Sequence, residues 1–151
     1  MEKMYAIKSF EELSNEELYQ ILRLRSEVFV VEQNCVFQDM DNKDQESLHV
    51  MCYVDHSLAA YTRILPKGLN FEEVSIGRVI TSRVYRGLGL GKEIMEKSIA
   101  VCEKQFGSTP IRIGAQHYLK KFYNELGFLE IGEVYIEDGI EHIEMVKNSN
   151  I

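Results

Sequence analysis

Residues 76 to 92, Ile-Gly-Arg-Val-Ile-Thr-Ser-Arg-Val-Tyr-Arg-Gly-Leu-Gly-Leu-Gly-Lys, join a β-like run to an amphipathic helix through a turn with glycine at 87, 89 and 91. Alternate glycines let a backbone come close to a ligand, and the amides at a helix start point outward with partial positive charge. Such a turn suits a pyrophosphate, and Arg86 and Lys92 flank it with full charges. A P-loop is excluded, because no glycine stands five residues before Gly91 and no hydroxyl follows Lys92. A dinucleotide-binding turn is excluded as well, because the spacing is G-x-G-x-G and not G-x-G-x-x-G. On its own the segment leaves an ordinary glycine-rich strand-to-helix turn open.

A second segment, Ile111 to Phe128, has a strand-like start, Gln116, Tyr123 seven residues on, and a Gly127-Phe128 close. Together the two segments resemble the GNAT superfamily of N-acetyltransferases, whose acyl-CoA signature R-x-x-G-x-G is matched from Arg86 to Gly91. The resemblance covers nearly the whole chain. In the amino-terminal half, Leu22 to Arg25, Val28 to Cys35 and Asp39-Met-Asp41, and later Glu137 to Ile140 with His142, are similar to the ElaA-type subgroup. The departures are Gln116 where an Asn is usual and Glu141 where a Pro follows the Asp-Gly-Ile turn.

A chain of 151 residues is one domain's worth, and no repeat, low-complexity stretch or linker interrupts residues 1 to 151. No apolar run reaches the ~20 residues of a membrane span and the start lacks a signal-like apolar core, so a cytoplasmic protein without membrane contact is expected. Cysteines at 35, 52 and 102 show no metal or redox spacing and are expected to be reduced. Cys35 could be a nucleophile, but a small buried thiol is the commoner outcome. Seventeen Lys plus Arg against 24 Asp plus Glu give a net charge of −7, which argues against a nucleic-acid partner. The basic residues of 78 to 92 and 112 to 121 are expected near a polyanionic cofactor. Asp39, Asp41, Asp44 and Glu46 crowd one loop, expected to draw a cationic acceptor. That loop is no calcium hand, because Lys43 stands at the third ligand position.

Hydrophobic periodicity predicts strands at 5–8, 48–54, 58–65, 73–81, 111–115, 128–136 and 140–147. A helix opens at the capping box Ser14-Asn-Glu-Glu17 and is expected to run to the low thirties. A second follows the glycine turn and stops at Gly107, and a short third spans 116–126. The result is an α+β domain, a mixed sheet of about seven strands with helices on both faces, in the GNAT order. The resemblance implies that strands ending near Ile80 and Ala115 splay apart, and that Val79, Ile80 and Thr81 offer backbone groups to the cofactor's amide-rich arm. It also implies cofactor contacts from Arg86, Gly87, Leu88, Gly89, Leu90, Gly91, Lys92 and Gln116.

Direct transfer from acetyl-CoA to an amine needs a neutral amine, oxyanion stabilisation and a proton for the departing thiolate. Tyr123 is the candidate acid, its ordinary pKa of about 10 keeping it protonated at neutral pH; the bland reading is a core aromatic. Glu73, or its neighbour Glu72, stands where relatives place a base, against the reading of a solvated turn carboxylate. Glu32, His49 and His142 are candidate acceptor contacts, each with a structural alternative: a helix-end carboxylate for the first, a satisfied histidine for the others. No metal is expected. The acceptor is a small-molecule or peptide amine, and the oligomeric state stays open. The alternatives are an acyltransferase of another acyl group or acceptor, like the acyl-homoserine-lactone synthases, and a non-catalytic acyl-CoA-binding module.

Overall fold

In the computed structural model, which describes residues 2–149, the strands are β1 (Lys3–Ser9), β2 (Leu48–Val54), β3 (Ser57–Leu65), β4 (Val74–Thr81), β5 (Ile111–Gln116), β6 (Leu129–Glu137) and β7 (Ile140–Lys147). They form one seven-stranded sheet in the order β1-β2-β3-β4-β5-β7-β6. β4 and β5 pair parallel, and the other neighbours pair antiparallel. The mixed α+β architecture expected from the periodicity is the one observed.

The first helix, α1 (Asn15–Arg25), starts at the Ser14 box: the Glu17 amide donates to Ser14 Oγ at 3.1 Å and the Ser14 amide to Glu17 Oε1 at 2.8 Å. The expected single helix does not continue in α form, because Ser26–Glu32 is π-helical, with the Gln33 amide on the Val28 carbonyl and the Cys35 amide on that of Val30. Three valines and Phe29 crowd this turn, and β-branched and aromatic side chains fit the tighter α turn poorly. The widened turn carries Val28, Phe29 and Gln33 over the middle of the sheet.

On the other face lies α2 (Leu90–Phe106), followed after β5 by α3 (Lys120–Glu125). Ile94, Met95 and Cys102 of α2 are buried against Val50, Ala60 and Ile76. Ser98, on the same stripe, is satisfied by Thr62 at 2.6 Å and by the Ile94 carbonyl. A second cluster, with Ile21, Leu24, Met51 and Tyr61, fills the α1 side. Burying two or three aliphatic side chains per helix at about 1.5–3 kcal/mol each outweighs what helix propensity alone supplies.

β4 changes face partway along. Its Val74 and Ile76 belong to the α2-side core, yet Ile80 belongs to the α1-side cluster. The register against β3 shifts between Tyr61 and Arg63, and Arg78 has φ +48°. One extra residue at this bulge inverts the alternation and bends the strand. Pairing with β5 therefore stops after Val74 with Ile111 and Ser75 with Arg112.

Candidate active site

The parting of β4 and β5 opens a cleft of about 810 Å³, within the range of small-molecule sites. Val79, Ile80 and Thr81 line it. Their hydrogen-bonding edge toward β5 has no strand partner, so an extended, amide-bearing ligand can add there as a strand would. At the end of this edge comes the glycine turn. Gly87 and Gly89 have φ of +84° and +75°, with open space where a Cβ would stand. Gly89 caps α2, so the first free amides of a 17-residue helix face the same space. A Cβ on Gly91 would lie 3.6 Å from Thr81 Oγ1 and 3.8 Å from Phe122, which is why the turn fits closely against β4 and α3.

Of the residues expected to hold a cofactor, Leu90 is buried in the core and offers its backbone alone, while Leu88 and Lys92 are exposed. Arg86 is not free. Its guanidinium grips the Glu32 carboxylate, with Nη2 2.6 Å from Oε1 and Nη1 on Oε2, and its Nε donates to the Thr81 carbonyl at 3.2 Å. That hydrogen bond and charge hold the Glu32 carboxyl below the usual range. Glu32 thus ties the π-helical turn to the glycine turn, and its carboxylate, a candidate contact for a cationic acceptor, is engaged by Arg86. Gln116, at the end of β5, exchanges amide hydrogen bonds with Gln33 at 3.0 and 3.3 Å.

Tyr123 of α3 is 6% exposed and lines the cleft, with its ring edge-on to Phe122 and Phe128 at 5.0 and 6.1 Å. Burial, and secondarily the Tyr118 phenol, pushes its pKa well above the ordinary phenol value. Its hydroxyl has no hydrogen-bond partner among the described residues. A neutral O–H held in an apolar wall is a donor and not a base.

The base candidate Glu73 and the acceptor-contact candidate His49 are engaged elsewhere. Glu73 sits at the paired end of β4 and takes both Arg112 Nε and Nη2 at 2.9 Å, an ion pair that lowers its pKa and leaves it outside the cleft. His49 is fully buried, between the Tyr61 hydroxyl at 2.6 Å and the Asp44 carbonyl at 2.9 Å, and burial depresses its pKa. Both are structural partners. His142 of β7 does line the cleft. Cys35 follows the bland reading, a buried thiol donating to the Asp138 carbonyl at 3.1 Å.

The acidic loop is the largest correction. Arg25, 0% exposed, binds Asp39 Oδ2 at 2.8 Å and Asp44 Oδ1 at 2.7 Å. Arg63 binds Asp41 at 2.7 and 2.8 Å and shares Asp44 at 2.9 Å, while Arg78 takes the other Asp39 oxygen at 2.8 Å. Three guanidiniums face three carboxylates, so the loop offers an acceptor little net charge. Nor do Arg78 and Arg112 wait for a polyanion, since both are already paired with carboxylates. The cluster was missed because its acids look like a solvated run. A signal existed: Arg25 shares the apolar stripe of Ile21, Leu24 and Val28, and Arg63 lies inside the mostly apolar strand Leu58 to Leu65. Also missed were the aromatic walls of the α1 side, Phe29, Phe37, Phe71 and Tyr135.

A cleft with an unpaired strand edge, a glycine turn at a helix start and a buried neutral phenol is the arrangement of an acyl-CoA-binding fold. The model of the acetyltransferase (GNAT) domain matches residues 10–149, and the chain belongs to that family. It is 44% identical to protein ElaA of Escherichia coli (strain K12) over 138 residues, 90% of each chain. The crystal structure of Escherichia coli ElaA superposes with a TM-score of 0.91, 40% identical over 97% of this chain and all of that one. An acyl-CoA N-acyltransferase from Pseudomonas aeruginosa gives 0.92 at 39% identity, covering 97% of this chain and 99% of that one. The acyl-homoserine lactone synthase BjaI shares the fold alone, at a TM-score of 0.81 and 16% identity over 99% of this chain and 84% of that one.

Proposed function

We propose that this chain is an N-acetyltransferase, a single domain over residues 1 to 151, that moves the acetyl group of acetyl-CoA to an amine by direct attack. The observation that carries the reading is the convergence of three features in one cleft: the unpaired edge of Val79 to Thr81, the glycine turn and Tyr123. When bound, acetyl-CoA supplies an activated thioester. The backbone of Val79, Ile80 and Thr81 would align its amide-bearing arm, and the amides from Gly87 to Lys92 would hold its pyrophosphate. The Val79 amide would polarise the thioester carbonyl. Tyr123 would protonate the departing thiolate, whose ordinary pKa of about 8.5 lies below that of the phenol, so the transfer draws its drive from the collapsing C–S bond. Transfer of the acyl group and not mere storage is favoured by Tyr123, since a binding module has no use for an unpaired phenol at that place. The free cysteines fit a reducing compartment such as the cytoplasm.

A panel of small amines and short peptides with acetyl-CoA, followed by free thiol release, tests the proposal. Turnover that requires an amine and persists in EDTA is expected. Acetyl-CoA binding without transfer to any member would favour the binding-module reading.

A further inference from the structure

The transferase reading leaves one chemical need unmet. An amine arrives as an ammonium, and something on the open side of the cleft must take a proton before nitrogen can attack. The cleft-lining carboxylates are engaged, Glu144 by Arg112 and Asp41 by Arg63 and Arg78, and Glu73 and Glu32, outside its lining, are paired with Arg112 and Arg86. Glu137 and Asp138, at the β6–β7 turn, are exposed and solvated.

His142 differs from all of these. It is 8% exposed on β7, paired in register with Gln116 of β5 and Tyr135 of β6, and its ring stacks on Tyr135 at 5.7 Å. Its Nδ1 lies 2.8 Å from the Ile140 carbonyl. A carbonyl can only accept, so in the neutral ring Nδ1 carries the proton and Nε2 keeps its lone pair. The Glu137 carboxylate stands 3.8 Å from Nε2, where it favours the imidazolium that forms. Gly114 completes the arrangement, because a Cβ there would lie 3.0 Å from the Tyr135 hydroxyl and displace the ring that backs His142. The groups around the imidazole are therefore Tyr135 and Glu137 from β6, Gln116 from β5, Glu144 from β7 and Asp138 from the turn.

We propose that His142 Nε2, supported by Glu137, takes the proton from the acceptor ammonium. The inference rests on the transferase reading. One N–H bond breaks and Nε2–H forms; the freed lone pair attacks the thioester carbon, and the C–S bond breaks as Tyr123 protonates sulfur. The second proton lost by nitrogen restores the Tyr123 phenol through water, and His142 returns its proton to solvent.

The test uses His142→Asn, whose amide N–H can replace Nδ1–H on the Ile140 carbonyl while leaving nothing at Nε2. Two probe nucleophiles suited to the aromatic walls are compared at neutral pH, 2-phenylethylamine, which is protonated, and phenylhydrazine, which is neutral. Acetyl transfer to 2-phenylethylamine should slow by about 10². Phenylhydrazine should keep most of its rate, and Glu137→Gln should shift both probes in the same sense but less. Equal losses for the two nucleophiles would mean a structural role, and an undiminished 2-phenylethylamine rate would mean another base; either result overturns the proposal. Acetyl transfer by the unaltered protein to any amine of the panel tests the transferase reading by itself, so the two claims fail separately.

Discussion

Two pairs of like side chains end in different roles because burial and partners differ. Tyr61 and Tyr123 are both buried phenols with raised pKa, yet Tyr61 is bonded to His49 in the core and Tyr123 opens on the cleft. His49 is closed off, whereas His142 keeps a nitrogen free. For Tyr123 the expected outcome of replacement by Phe is a fall in the chemical step of about 10² to 10⁴ with acetyl-CoA affinity unchanged, since one hydroxyl and little volume are removed. Single-turnover acetyl transfer and calorimetry measure the two quantities. Because burial raises the phenol's pKa, the acid form persists through alkaline assay pH. The wild-type profile should therefore show no alkaline fall due to Tyr123 below a pH of about 10, which a pH–rate series checks directly.

At the scale of elements, the cleft exists because β4 carries a bulge and α2 begins at a left-handed glycine. Gly89 sits at φ +75° with no atom within 4 Å of where a Cβ would stand, so a valine there would chiefly hold a costly backbone conformation, at roughly 1–2 kcal/mol. Gly89→Val is expected to keep most of its secondary structure by circular dichroism. The glycine turn, the capping box and the seven strands were legible because each depends on local chemistry: φ-permissive residues, a side-chain cap, and a two-residue period. The bulge was not. Arg78 takes a positive φ because its side chain is held by Asp39, with Phe29 and Phe37 at about 6 Å, all distant in sequence. The π-helical turn escaped notice for a similar reason, since its Val and Phe residues read equally well as helix. Glu73 and Glu32 looked available as base and acceptor contact because nothing in the sequence pairs them with Arg112 and Arg86; only the folded sheet does.

For the whole molecule, the Arg25, Arg63 and Arg78 network with Asp39, Asp41 and Asp44 clamps the acidic loop and the π-helical turn to the sheet. Burial raises the Asp41 and Asp44 carboxyls, but hydrogen bonds and charge from Arg63 and Arg25 outweigh it and leave both below the ordinary range. Carboxylates depressed by folding contribute stability that is present above their unfolded pKa and lost as pH falls through the folded one. The urea midpoint should hold from pH 7 to 5 and decline below about pH 4. Asp44→Ala, which strips two buried guanidiniums of a partner, should cost about 3–5 kcal/mol at pH 7 and flatten that acid decline. Chemical denaturation at both pH values measures each. The split between β4 and β5 is proposed as the acyl-CoA site. Its most direct test is a calorimetric titration of acetyl-CoA into the wild-type protein and into Gly89→Val. The account predicts one site per chain in the wild type and no measurable binding in the folded variant, and equal affinity in the two proteins would contradict it.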